Sequence, residues 1–161
     1  MIAAVNGAAA GGGNELVVAC DLAVAAESAT FGLTEARYGL FPLGGSTVRL
    51  QRQIPRTAAM DMLLTGRRID ARQALEWGLI GRVVPDGEAL SAAREIAEQI
   101  AANGPVAVQA IKASVLAAAD LSEADGLAQE LALGQPVFAT RDAREGPRAF
   151  AERRTPRFEG R

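Results

Sequence analysis

The chain has 161 residues, 17 Lys+Arg against 19 Asp+Glu, no His, one Cys, and 49% hydrophobic residues. Without His, Ser-His-Asp and Cys-His nucleophile systems and imidazole-built zinc sites are excluded. The single Cys20 excludes a disulfide framework within the chain and fits a reducing, cytoplasmic compartment. A net charge of −2 leaves no electrostatic footprint for nucleic acid or an anionic membrane. No apolar run approaches the roughly 20 residues that span a bilayer, and no signal peptide is expected ahead of the first strand-like run. The expectation is a one-domain chain whose chemistry uses carboxylates, backbone amides or a bound cofactor. Lys112 is the only Lys, and aromatics are 4% of residues, so the core must be built from Ala, Val, Leu and Ile.

In chain order, Ile2-Ala3-Ala4-Val5 reads as a short buried strand ending at the turn signal Asn6-Gly7. Residues 8–13 (AAAGGG) read as a small-residue loop, and 14–20 as a buried helix. Residues 21–26 (DLAVAA) predict a second strand and 29–33 (ATFGL) a third, ending near Thr34-Glu35. From Gly44 the period turns helical: 47–54 is stopped by Pro55, 56–64 closes at Gly66, and Asp70 caps 71–77 with Gly78 as terminator. Residues 82–84 are extended, and helices follow over 90–102, 106–119, 121–133 and about 142–154. Two or three strands are too few for a sheet that carries so many helices, so the chain reads as the back part of something larger.

Gly11-Gly12-Gly13 lies between a strand and a helix. Glycines there let backbone approach a ligand, and a helix N-terminus aims unpaired N–H groups at negative charge. Such a place suits a thioester oxygen becoming an enolate; the alternative is a tight strand-to-helix turn with no ligand. A dinucleotide-binding loop needs Gly at its first, third and sixth positions. Counting from Gly7, the third position is Ala9, which argues against it. Glu15 falls on the first helical turn inside an apolar sequence, and Glu35 at the end of an apolar extended run. Each read alone is a helix-dipole partner or a solvated carboxylate. Two carboxylates flanking a glycine-built anion site could instead handle one water and one carbon-bound proton.

These residues carry a family resemblance. Residues 2–21 (IAAVNGAAAGGGNELVVACD), 31–35 (FGLTE), 39–50 (GLFPLGGSTVRL), 64–69 (LTGRRI), 71–84 (ARQALEWGLIGRVV) and 144–154 (REGPRAFAERR) resemble the enoyl-CoA hydratase/isomerase, or crotonase, superfamily across essentially the whole chain. The ending is similar to its carnitinyl-CoA dehydratase-like branch. The resemblance implies an α/β fold: the C-terminal part of a ββα spiral (1–65, bearing the glycines and glutamates), then a helical region (66–161) for trimerisation and CoA contacts. It implies that Gly12 donates one N–H of an oxyanion hole, and that Glu15 and Glu35 are the two catalytic glutamates, Glu35 giving the proton to Cα. Ala10, Gly11, Gly13, Thr34 and Leu43 would line the substrate site. Phe150 and Arg153 match positions that touch the CoA of a neighbouring subunit; a solvated helix face is the other reading of that Arg.

The implied activity is addition of water to a 2-enoyl-CoA, with no metal or other cofactor, since coenzyme A is part of the substrate. The implied partner is a second copy of the chain, as a homotrimer or dimer of trimers, with no nucleic acid and no membrane. Two departures stand out: Leu43-Gly44-Gly45-Ser46 replaces a Gly-x-Gly-Gly pattern, and Thr34 stands where Pro is common. The Leu43 side chain would narrow the acyl pocket. Family members also carry a further N-terminal part that supplies the other oxyanion-hole amide, much of the CoA surface and the first strands. The alternatives are a non-catalytic fragment that assembles or binds acyl-CoA, and another reaction on the same scaffold, such as isomerisation or carnitinyl-CoA dehydration.

Overall fold

The computed structural model describes residues 1–161, which form two compact units, 1–97 and 98–161. The first contains β1 (Ile2–Val5), β2 (Ala8–Ala10), α1 (Gly12–Ala19), β3 (Leu22–Ala26), β4 (Thr30–Gly32), α2 (Ser46–Gln53), α3 (Arg56–Thr65), β5 (Arg68–Asp70), α4 (Ala71–Glu76) and β6 (Arg82–Val84). A 3₁₀ turn, Glu35–Tyr38, lies between β4 and α2. Helix α5 (Ala89–Ala101) begins in this unit and continues past its end at Ala97.

Six strands make two three-stranded sheets, more than the sequence predicts. In one, β1, β3 and β6 are all parallel, with Ala4 opposite Val24 and Ala25 opposite Val83. In the other, β2 and β4 are parallel, with Ala9 opposite Phe31, and β5 joins β4 antiparallel, with Ile69 opposite Phe31. The successive pairs β1–β2 and β3–β4 each send the first member to one sheet and the second to the other, while β5 and β6, separated by α4, join them in the reverse order. A helix or turn then carries the chain to the next pair, which is the ββα spiral.

Two elements differ from expectation. Ala8–Ala10 is a strand rather than part of a loop: alanine has little intrinsic strand preference, and pairing with Thr30–Gly32 decides the conformation. Arg68–Asp70 is a strand whose charged ends conceal the single buried Ile69. The boundary also moves. Residues 66–97, expected with the helical region, pack with the first unit because Ile69, Ala71, Ala74, Leu79 and Ile80 join its core.

That core centres on Phe31, Leu33, Leu50, Met62 and Val18, all fully buried or nearly so. Small residues let the sheets approach closely, and β3 buries four of its five positions. The predicted punctuation is present: Asp70 accepts the Gln73 N–H at 2.8 Å, and Gly66 and Gly78 close their segments in the left-handed region at φ 64° and 80°. No single helix is long and apolar enough to cross a membrane.

The second unit holds α6 (Pro105–Ala118), α7 (Glu123–Gly134), a 3₁₀ stretch at Gln135–Ala139, α8 (Asp142–Ala151) and the tail to Arg161. Ser122 starts α7, accepting the Asp125 N–H and donating its hydroxyl to the Asp125 carboxylate at 2.6 Å. The tail folds back on α8. Asp142 accepts the N–H groups of Glu159 and Gly160 at 2.7 and 2.8 Å, and Glu145 accepts Arg154 Nη2 and the Arg157 N–H, both at 2.9 Å. The Arg154 guanidinium, and then the Arg157 N–H, lower the Glu145 carboxyl from 4.5 to about 2.

A carboxylate held down by folding contributes stability that is complete above its unfolded value and is lost as pH falls through its folded value. The Glu145 clasp is therefore expected to weaken only as pH drops from about 4.5 towards 2. Amide exchange at Arg157 should rise over that window, and Glu145→Gln should show the raised exchange already at neutral pH.

Candidate active site

Helix α1 is set by its glycines. Gly11 has φ 54° and ψ −124°, and its N–H donates to the Gly32 carbonyl at 2.9 Å. This bond extends the β2–β4 pairing one residue past Ala10 and turns the chain into the helix. Gly11 is favoured by its positive φ, and a Cβ there would stand 3.0 Å from Glu35 Oε1 and press on that carboxylate. Gly12 and Gly13 are different: a Cβ on either would meet nothing within 4 Å. They begin α1, where helix geometry leaves the first N–H groups without an intrahelical partner.

Glu35 opens the 3₁₀ turn that follows β4 and is half-buried, with Oε2 fully buried and without a hydrogen-bond partner. Arg37 fixes this turn to the end of α3, its Nε donating to the Thr65 carbonyl at 3.3 Å while its side chain covers Gly66. Thr34 precedes the turn, half-buried, and its carbonyl accepts the Arg37 N–H at 3.1 Å.

Glu15 lies on the first turn of α1, also half-buried, and reaches the N-terminus of α2. Its Oε1 accepts the Ser46 N–H at a long 3.4 Å, and a Cβ on Gly44 would stand 2.5 Å from Oε2. The carboxylate thus lies flush against the backbone of 44–46, at the positive end of a helix.

The structure therefore places Glu35 against Gly11, next to Gly12, and places Glu15 three residues further along the same helix. Ala10 ends β2 opposite Gly32, and Gly13 is exposed on the first turn of α1. The Leu43 side chain is 87% exposed and projects from the loop before Gly44. Phe150 and Arg153 belong to the second unit. Phe150 is exposed on α8, and Arg153, just past its end, is the one non-glycine residue at positive φ, 54°.

Sequence reasoning missed three residues. Asn14 is fully buried with both amide atoms unpartnered, Ser46 is fully buried with an unpartnered hydroxyl, and Gly44 makes room for Glu15. The departure of 43–46 from the usual glycine pattern marked the segment, but only Leu43 was singled out from it.

The sequence profile of the enoyl-CoA hydratase/isomerase family matches residues 1–161. The chain belongs to that family. It is 53% identical over 161 residues to enoyl-CoA hydratase EchA19 of Mycobacterium tuberculosis, covering all of this chain and 60% of the relative. It is 42% identical over 165 residues to the carnitinyl-CoA dehydratase of Proteus mirabilis, covering 63% of that protein. The chain thus spans about three fifths of the length of these curated relatives. The crystal structure of enoyl-CoA hydratase from Bacillus anthracis superposes on 99% of this chain at TM-score 0.97 and 45% identity, covering 62% of the solved chain. An enoyl-CoA hydratase from M. tuberculosis H37Rv superposes on 99% at TM-score 0.97 and 44% identity, covering 64%. The fold is the crotonase fold.

The glycines separate by experiment. Gly11→Ala should cost about 1–3 kcal/mol, from strain at φ 54° and ψ −124° together with contact on Glu35. Gly13→Ala should be neutral or stabilise by up to about 1 kcal/mol, because alanine favours the helix and the space is open. Urea unfolding of the two variants measures the contrast, and equal losses would contradict the geometry.

Proposed function

We propose that this chain carries the acid–base half of a 2-enoyl-CoA hydratase site. The observation that supports it is Glu35, whose Oε2 is buried without a protein partner beside a helix N-terminus built from glycines. Buried carboxylate oxygens are almost always satisfied, so an orphan at the mouth of an anion site is read as reserved for water or substrate. The open space over Gly12 and Gly13 has the same sense, since packing within the chain does not require a glycine there.

In this mechanism the thioester carbonyl of a trans-2-enoyl-CoA accepts the Gly12 N–H. A second donor comes from outside this chain, as family resemblance implies. Glu15 and Glu35 hold one water between them. As the water oxygen bonds to Cβ, one of its protons passes to the Glu35 carboxylate, and the π electrons move through Cα onto the thioester oxygen. Glu35 then gives a proton to Cα and the carbonyl reforms. The overall step adds H and OH to C=C with no change of overall oxidation state, so it requires no redox partner, and the coenzyme A belongs to the substrate. The role of the glycine turn is electrostatic: its donors already point to where negative charge develops.

The relatives named carnitinyl-CoA dehydratase support a second reading, elimination of water from a 3-hydroxyacyl-CoA bearing a cationic group. The same two carboxylates run that step in reverse. The remaining substrate-site assignments, Ala10, Thr34 and Leu43, are proposed as lining around the acyl thioester. Phe150 and Arg153 are proposed as contacts to the CoA of a neighbouring subunit, where a guanidinium suits phosphate.

Turnover is followed as loss of the enoyl thioester absorbance, using this chain and a polypeptide that also carries the family's N-terminal part. Glu35→Gln and Glu15→Gln should each lower kcat by roughly 10²–10⁴-fold, the range of a lost acid–base group. Full activity in both variants would eliminate the two-carboxylate mechanism.

We also propose that the chain forms a homotrimer or dimer of trimers through its second unit. There, α6, α7 and the stretch after them present Ile111, Val115, Leu131 and Phe138, each more than 60% exposed. Ile111, Val115 and Phe138 line one apolar groove, and an exposed apolar surface of this kind ordinarily marks an interface. Sedimentation should give a trimer or hexamer. Val115→Glu with Phe138→Asp should shift it to smaller species, and an unchanged distribution would contradict this surface.

A further inference from the structure

Glu15 would work only if its carboxylate is held in place, and its own helix provides no hydrogen bond to it. Its contacts are with the loop at 44–46. Gly44 meets the carboxylate so closely that a Cβ there would overlap it, and the Ser46 N–H points at Oε1. That loop is irregular. Gly45 has φ 101°, a conformation open essentially to glycine, and Ser46 begins α2. Such a segment needs a tether from outside its own backbone.

Arg49 is that tether. It lies on the first turn of α2, and its Nη1 donates to the Gly44 carbonyl at 3.0 Å. The guanidinium also covers Gly45 so closely that a Cβ there would collide with Nη1. Within the helix, the Arg49 N–H donates to the Gly45 carbonyl at 2.9 Å. Arg49 therefore grips the turn at two successive carbonyls, one with its side chain and one with its backbone. Glu15 meets the same turn at Gly44 and Ser46.

We propose that Arg49 is a positioning residue: it clamps the Gly44-Gly45 turn and, through it, fixes the carboxylate of Glu15. The proposal rests on Glu15 belonging to the acid–base pair. Arg49 itself is exposed and has no role in the chemical step. The planar guanidinium matters because it bonds the carbonyl while lying flat over a glycine, which a lysine ammonium does not reproduce.

The test uses the full chain with ¹³C-labelled glutamate. In Arg49→Ala, the Glu15 carboxyl resonance should move and Ser46 amide exchange should quicken by roughly tenfold, the effect of losing one charge-assisted hydrogen bond. Arg49→Lys should fall between Arg49→Ala and the native chain, while Glu35 and the core methyl signals of Leu33 and Leu50 stay in place. Hydration by the polypeptide that carries the N-terminal part should lose kcat with little change in KM. Unmoved Glu15 and Ser46 signals in Arg49→Ala overturn the proposal. Loss of the core signals in both variants also overturns it, because Arg49 would then serve folding. If Glu15→Gln keeps full activity while Arg49→Ala still moves the Glu15 signal, the clamp stands and the hydratase reading fails.

Discussion

The hydrogen bond from the Gly11 N–H to the Gly32 carbonyl joins the parts of this molecule that bear on chemistry. It prolongs the parallel pairing of β2 and β4 by one residue, at the point where β2 must turn into α1 and β4 must leave for the turn bearing Glu35. Parallel strands keep their C-terminal ends together. The residues that follow them, Gly12 on one side and Glu35 on the other, are consequently delivered to the same place. Gly11 adopts a backbone conformation hardly open to other residues, and its missing side chain is filled by the Glu35 carboxylate.

The same economy recurs at Glu15. It shares α1 with the glycines, so the helix N-terminus and one carboxylate are carried by a single element. Its carboxylate rests on a second helix N-terminus, that of α2, through Gly44 and Ser46. Each glutamate is thus fitted against a glycine, closely at Gly11 for Glu35 and more tightly at Gly44 for Glu15. Behind them lies a core of Phe31, Leu33, Leu50 and Met62, packed against alanine-rich strands that let the two sheets close up. Close-packed interiors of this kind transmit displacement poorly absorbed elsewhere, which is why small residues near the site carry structural weight.

Several features were legible in the residues alone. The strand at Ile2–Val5, the helices α2 and α3, and the stops at Gly66, Asp70 and Gly78 follow from local rules of periodicity and capping, although the strand expected to be buried encloses only Val5. The glycines were visible as candidates because they fall between a strand and a helix, and the two glutamates because each is a carboxylate beside apolar sequence. The strands Ala8–Ala10 and Arg68–Asp70 were not visible, since each is made by pairing with β4 rather than by its own preference. The boundary near residue 65 failed for a related reason: the helical period continues through 71–76, but the buried faces of that segment turn back to the first core. Asn14 and Ser46 gave no signal, because burial of a small polar side chain depends on neighbours distant in sequence.

The sequence by itself determined the family, the order of helices, and the chemical inventory of two carboxylates and a glycine turn without imidazole. These are properties of composition and short-range pattern, and the chain carries them whatever its shape. Only the tertiary structure decided which glycines meet a carboxylate and which leave open space, that Glu35 keeps an oxygen free of protein partners, and that Arg49 reaches Glu15 through a turn. Those relations join residues dozens of positions apart. They arise when parallel strand pairing and helix packing bring backbone and carboxylate within ångströms of each other, and no local pattern encodes that distance.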